Sequence, residues 1–130
     1  MMVVDASAVL ELLLHSSNAQ TVAKRLFALE ETLYAPHLID LEVAQVLRRY
    51  WLAGELEPER GGEALALLRN FPLMRYPHEP LLPRIWQLRR NLTAYDAAYV
   101  ALAEVLSVPL VTRDRALAAS VGHRARVELV

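Results

Sequence analysis

Four acidic residues in this chain stand where solvation alone does not explain them: Asp5, Glu42, Asp96 and Asp114. Asp5 ends the apolar run Met2-Val3-Val4, and Asp114 follows Leu110-Val111-Thr112 by one arginine. Glu42 lies among Leu38, Leu41, Val43, Ala44, Val46 and Leu47, and Asp96 opens a stretch made almost wholly of alanine, valine and leucine. An ionised carboxylate is costly to remove from water unless a partner compensates it. The only lysine is Lys24, which is not near any of the four in sequence. A divalent cation is the simplest shared partner, and that points to metal-dependent phosphoryl chemistry.

Each carboxylate also has a plainer reading. Asp5, in Asp5-Ala6-Ser7, stands where a strand gives way to a helix, and either Asp5 or Ser7 is a good helix N-cap. Thr93-Ala94-Tyr95-Asp96 fits a capping box, with the carboxylate reaching back to the helix start. Asp114 is placed to cap a short helix of its own. Glu42 as a solvated surface residue fits less well, because little of its helical pattern is polar. Asp40 complements the N-terminus of the same helix electrostatically. His15, His37, His78 and His123 show no metal-ligand spacing and read as surface or loop residues.

Taken singly, then, the carboxylates are weak signals, and the set is stronger. Ser7 follows Asp5 by two residues, and Thr112 precedes Asp114 by two. Short hydroxyls in this mirrored order can hold carboxylates in position or orient a metal-bound water. Oxygen-only ligands suit Mg²⁺ or Mn²⁺, and Mg²⁺ is usually held by one or two carboxylates with water and phosphate completing the shell. Such an ion acidifies water and stabilises charge developing at phosphorus, as in-line hydrolysis of a phosphodiester requires.

The elements that must position these residues follow from periodicity and punctuation. Strands are expected at Met2 to Val4, Thr32 to Ala35, Leu73 to Tyr76, Leu110 to Thr112 and Val127 to Val130. Helices are expected from near Ser7 to Leu14, from Thr21 to Leu29, from Leu38 to Ala53 with Gly54 as the stop, and from Pro58 towards Asn70. Further helices should cover Leu82 to Arg90, Ala94 to Leu106 and Arg115 to Ala119. Alternating strands and helices favour an α/β fold with a mainly parallel central sheet and helices on both faces. The strands are apolar without alternation, as a doubly covered sheet demands. In such folds ligands bind beyond the carboxyl ends of the strands, where Asp5 and Asp114 fall.

Composition narrows the classes further. The 130 residues suit one domain, and 55% are hydrophobic, so the sheet is covered on both faces or part of the surface meets another chain. A net charge of -1 gives no global attraction to nucleic acid. Any such binding must use local clusters, namely Arg48-Arg49, Arg89-Arg90, Arg113 with Arg115, and Arg124 with Arg126, each of which also reads as a solvated helix face. The absence of cysteine excludes disulfides, thiolate metal sites and cysteine nucleophiles. Asp5 and Glu11 interrupt the first apolar run, against a signal peptide, and no stretch reaches the roughly 18–20 apolar residues of a membrane span. A cytoplasmic protein is the expectation.

With these residues in view the chain resembles the PIN-domain family, and within it the VapC-type toxins of bacterial and archaeal toxin–antitoxin pairs. The resemblance rests on Val3-Val4-Asp5-Ala6-Ser7, on Leu41-Glu42-Val43 after Pro36, on Tyr95-Asp96-Ala97-Ala98-Tyr99-Val100-Ala101-Leu102-Ala103, and on Pro109-Leu110-Val111-Thr112-Arg113-Asp114. It covers nearly the whole chain, with the last two segments the most specific. It implies a single PIN-like domain over residues 1–130 and an endoribonuclease with RNA as substrate. It also implies Mg²⁺ or Mn²⁺ held by Asp5, Glu42, Asp96 and Asp114, with Ser7 and Thr112 as supporting hydroxyls. A homodimer is implied too, with a small antitoxin whose C-terminal segment covers the site. Some relatives carry a further polar residue after the last aspartate, where this chain has Ala116 and Leu117, which puts a second metal site in doubt. Two other readings are a non-catalytic binding module of the same fold and a phosphoryl-accepting α/β domain. The latter would need a lysine after a late strand, or a second aspartate where Ser7 stands.

Overall fold

The computed structural model describes residues 1–130. Five strands, β1 (Met2–Val4), β2 (Leu33–Pro36), β3 (Leu73–Tyr76), β4 (Leu110–Thr112) and β5 (Val127–Leu129), form one sheet in the order β3-β2-β1-β4-β5. Every neighbouring pair is parallel. The connections carry α1 (Ala6–Leu13), α2 (Ala19–Phe27), α3 (Ile39–Leu52), α4 (Pro58–Asn70), α5 (Leu82–Gln87), α6 (Ala94–Leu106) and α7 (Arg115–Ala118), with a short 3₁₀ turn at Glu79–Leu81.

Successive strand residues point to opposite faces. In β1 all three are fully buried, and so are Leu110, Val111 and Thr112 of β4, so both faces of the central sheet are covered. Helix α6 packs on β1, β2 and β4, and its run from Ala97 to Ala103 is buried throughout. Small side chains at Ala97, Ala98, Ala101 and Ala103 let this helix lie close to the strands. Helix α1 packs against β4 and against α2, α3 and α4.

The chain moves outward from β1 through β2 to β3, then returns to the other side of β1 for β4 and β5. The reversal opens a crevice at the carboxyl ends of β1 and β4, the place where this class of fold binds ligands. Helix α3 stops at Gly54, whose φ of +75° is the left-handed conformation that favours glycine. No atom lies close enough to obstruct a side chain there, so conformation and not space selects the residue. Pro58 occupies the first turn of α4, where its missing N–H costs nothing.

The expected elements are all present; β1, β3, β4 and α6 have the expected bounds, and the ends of most others are displaced by one to a few residues. The helix after Pro80 is shorter than its apolar pattern suggests, ending at Gln87 rather than Arg90. No helix is long and apolar enough to cross a membrane.

Candidate active site

Asp5 is the first residue after β1, and its side chain is nearly withdrawn from solvent. Its Oδ1 accepts from the Ser7 hydroxyl at 2.6 Å and from the Ala8 N–H at 3.1 Å, and its Oδ2 accepts from the Thr112 hydroxyl at 2.5 Å. Asp5 therefore caps α1 and at the same time lies at the floor of the crevice beyond β1 and β4.

The two hydroxyls do more than fill lone pairs. Ser7 Oγ accepts the Arg113 N–H at 2.9 Å, and Thr112 Oγ1 accepts the Asp114 N–H at 2.9 Å. Each hydroxyl thus donates to Asp5 while receiving a backbone N–H from the turn between β4 and α7. The mirrored order of Asp5-Ala6-Ser7 and Thr112-Arg113-Asp114 is the sequence trace of this junction. Thr112 is fully buried behind Asp5 and reaches the crevice only through it.

Asp114 caps α7, its Oδ1 accepting from Ala116 N–H at 2.8 Å and Leu117 N–H at 3.2 Å. Ala116 and Leu117 thus serve the site through their backbone. Asp96 lies in the first turn of α6, where its N–H donates to Thr93 Oγ1 at 3.2 Å. Its carboxylate makes no bond back to the Thr93 N–H, so only half of the expected capping box forms and the acid is left facing the crevice. Glu42, one turn into α3, accepts from the Tyr99 hydroxyl at 2.5 Å. Tyr99 is itself buried, one turn after Asp96 on α6.

Asp5, Ser7, Glu42, Asp96, Tyr99 and Asp114 all line one groove of about 1110 Å³. The groove runs from the ends of β1 and β4 along α1 and α3, passing Leu10, Leu14, Leu41 and Val46. Segments far apart in sequence thus bring the four expected carboxylates together, with Ser7 and Thr112 beside Asp5. Asp40 is not among them. It forms a two-nitrogen ion pair with Arg75 on β3, at 2.9–3.0 Å, which holds the start of α3 to the sheet edge.

The electrostatics fit a cation. Burial pushes the Asp5 carboxyl above its ordinary value, with the charge of Asp114 adding to it, while the Ser7 and Thr112 hydroxyls and the Ala8 N–H oppose the rise. Glu42 is raised by burial, with Asp5 and Asp96 contributing and Tyr99 opposing. Asp96 is raised by burial and by Asp114. Asp5, Glu42 and Asp96 therefore each feel the charge of at least one other member of the set. Tyr99 is held far above the ordinary tyrosine value by burial and by Glu42, so its hydroxyl stays a donor.

No three acidic or imidazole groups stand close enough to ligate one ion as a ready-made cage. That spacing suits Mg²⁺, which keeps much of its water and takes only one or two carboxylates directly. An all-oxygen donor set also suits Mg²⁺ or Mn²⁺ over softer metals. The residues present fit such an ion.

Sequence reasoning missed Tyr99 and left Arg113 within one of several basic pairs. Tyr99 hides in an apolar helix, although its place three residues after Asp96 puts both on one face. Arg113 is the basic residue between Thr112 and Asp114; it faces Glu11 at 3.6 Å and donates to the Val130 carbonyl, so it does not neutralise the four acids.

Comparison with known proteins shows the family and the fold. A family model described as "PIN domain" matches residues 2–121. A ribonuclease, VapC1 of Mycobacterium tuberculosis, is 45% identical over 129 residues, covering 98% of this chain and 96% of its own. A crystal structure of a protein from Pyrobaculum aerophilum superposes with a TM-score of 0.66 at 29% identity, over 91% of this chain and 77% of that one. A toxin–antitoxin complex from Klebsiella pneumoniae contains a chain with a TM-score of 0.67 at 19% identity, covering 98% of this chain and 96% of that one.

Proposed function

From the premise that this chain belongs to the PIN-domain family, we propose that it is a Mg²⁺-dependent endoribonuclease, with Mn²⁺ as an effective substitute, acting through Asp5, Glu42, Asp96 and Asp114. The chain is a VapC-type ribonuclease toxin of a toxin–antitoxin pair, by its 45% identity to such a ribonuclease over nearly all of both chains. That relationship sets aside the non-catalytic and phosphoryl-accepting readings. The observation that carries the site assignment is the groove itself, in which four carboxylates from four separate segments face one space.

Each residue has a distinct task in this reading. Asp5 is immobilised by three donors and fixes where the cation sits. Ser7 and Thr112 tie Asp5 to the turn that carries Asp114, so the two acids keep their separation. Tyr99 holds one oxygen of Glu42 and leaves the other free. Asp96 and Asp114, with few internal bonds, are available to ligate directly or through water. The chemistry that Mg²⁺ supplies in such a setting is neutralisation of phosphate charge and acidification of the attacking water.

RNA is the substrate in this reading, and a small antitoxin is the partner whose peptide enters the apolar half of the groove beside Leu10, Leu14, Leu41 and Val46. The purified chain should cut RNA only with added Mg²⁺ or Mn²⁺ and stop on chelation. Sequencing of the new 5′ ends in total RNA would give the cleavage rule. A chain that leaves RNA intact in both metals, while folded by circular dichroism, would overturn the assignment.

A further inference from the structure

We infer that Trp86, Arg89 and Arg90 form a second RNA contact surface outside the carboxylate groove, a stacking platform for unpaired bases flanking the cut. This rests on the ribonuclease reading and extends it to how substrate is held. Trp86 is 67% exposed at the end of α5, an unusual place for so large an apolar ring. The Arg89 guanidinium lies over that ring, 4.5 Å from its centroid, and its Nη1 donates to the Trp86 carbonyl at 2.8 Å. The ring and the cation are thus fixed as one unit.

The charge around it is one-sided. From Pro80 to Tyr95 there is no acidic residue, and there are three arginines. Arg84 is consumed by Glu104, at 2.9 and 3.0 Å. Neither Arg89 nor Arg90 pairs with any carboxylate. With Gln87 and Asn91 they line a polar hollow of about 440 Å³. Asn91 is seated over Gly122, where a Cβ would come within 2.1 Å of its Nδ2, so the hollow's edge is backed by a second loop.

Location connects this patch to the reaction. Helices α5 and α6 pack side by side and are joined only by Leu88 to Thr93, so the end of α5 lies near the start of α6, which carries Asp96. The five steps along the chain from Asn91 to Asp96 cannot span more than about 18 Å. Tyr95, exposed on the groove, falls between the two in the chain. Two guanidinium groups without a carboxylate partner, one of them stacked on an exposed indole, are the parts of a sequence-tolerant single-strand site, where bases stack and phosphates meet arginine. Cations with no carboxylate partner in the chain match the phosphates of the RNA that the ribonuclease reading already supplies.

The test uses the full chain with Trp51→Phe, which leaves Trp86 as the only tryptophan, and with Asp5→Asn to prevent cutting. Titration with a mixed-sequence single-stranded RNA in Mg²⁺ should quench Trp86 emission. Trp86→Ala should weaken binding roughly ten-fold, with Trp86→Tyr retaining most of it, and should have little effect on duplex RNA. Arg89→Ala with Arg90→Ala should reduce the slope of log Kd against log salt by about 1.4, the value for two single-strand phosphates. In the otherwise wild-type enzyme, Trp86→Ala should raise KM and leave kcat unchanged. Unchanged fluorescence, affinity and salt slope, in a chain that still cuts RNA, would overturn the platform and leave the nuclease standing. A concentration-dependent shift of Trp86 emission without RNA, persisting in Trp51→Glu with Leu52→Glu, would assign the patch to a contact between copies and overturn it equally. Failure of the wild-type chain to cut any RNA would instead remove the reading on which the platform rests.

Discussion

The Tyr99 hydroxyl donates to Glu42 Oε1 at 2.5 Å, joining the buried face of α6 to the first turn of α3. A charge-assisted bond of this length fixes the carboxylate's rotation and commits one of its two oxygens. Tyr99→Phe removes the hydroxyl and nothing else. Mn²⁺ affinity, measured by calorimetry, is expected to fall roughly ten-fold, the lower end for loss of a group that orients a ligand. Affinity equal to wild type would show that Tyr99 merely fills space.

Asp5→Asn and Asp96→Asn keep shape and remove charge. Both should abolish metal-dependent cleavage while leaving the far-ultraviolet circular dichroism unchanged. Because asparagine caps helices as well as aspartate does, the caps themselves survive the change. Removing an anion from a buried, mutually repelling set should also raise the melting temperature of the metal-free chain. Wild-type turnover by Asp96→Asn in Mg²⁺ would eliminate Asp96 from the site.

The pH dependence has a definite sign. Asp5, Glu42 and Asp96 are all held above their ordinary values in the folded chain. Between the unfolded values, 3.8 for aspartate and 4.5 for glutamate, and the raised folded ones, the native state holds protons that the unfolded chain has released. Their contribution to stability is therefore full below the unfolded values and is lost as pH climbs through the folded ones. Divalent metal should recover stability above that window and release protons on binding. Melts across acidic to neutral pH, with and without Mn²⁺, test this. A metal-induced rise that is the same at every pH would contradict the shared-charge site.

Glu104 runs the other way. Its side chain is 4% exposed, and it accepts from Arg84 Nε and Nη2 and from the Arg124 N–H. Burial works against it, but these donors win and hold it below the ordinary 4.5. Its contribution is present above that value and is lost as pH falls through the lower folded one. Glu104→Gln keeps the shape but leaves the arginines without their counter-charge. It should cost about 2 kcal/mol in urea unfolding at neutral pH, on the scale of a bond to a charged group. A variant as stable as wild type would mean that solvent replaces the contact.

How far sequence led can be read from particular residues. Gly54 and Pro58 announced the end of α3 and the start of α4 because their backbone constraints act locally. The strands were visible because a doubly covered sheet makes each of them wholly apolar. Asp5, Glu42, Asp96 and Asp114 stood out because charge is improbable in such surroundings, and they do face one groove. Tyr99 could not be distinguished from core, since its role depends on Glu42, 57 residues away. The Asp40–Arg75 and Glu104–Arg84 pairs were hidden for the same reason: local sequence does not tell a solvated charge from one matched across the fold. The helix around Leu82 ended early because Arg89 and Arg90 belong to the turn leading into α6, not to its apolar pattern.

The apolar excess leads to the final prediction. Leu41, Trp51 and Leu52 of α3 are 76%, 52% and 58% exposed, and Leu65 and Leu67 of the neighbouring α4 are exposed with them. Exposed large apolar side chains concentrated on two neighbouring helices are the material of an interface. A homodimer is expected, with the antitoxin segment lying in the groove between α1 and α3 and placing an arginine among the carboxylates as a substitute for the cation. Light scattering should report a dimer for the isolated chain and a smaller mass for Trp51→Glu with Leu52→Glu. Co-expression with the small antitoxin should suppress cleavage, and excess Mg²⁺ should not restore it while the peptide remains bound. A monomer with full activity would remove the dimer without touching the nuclease, because all four carboxylates come from one copy of the chain.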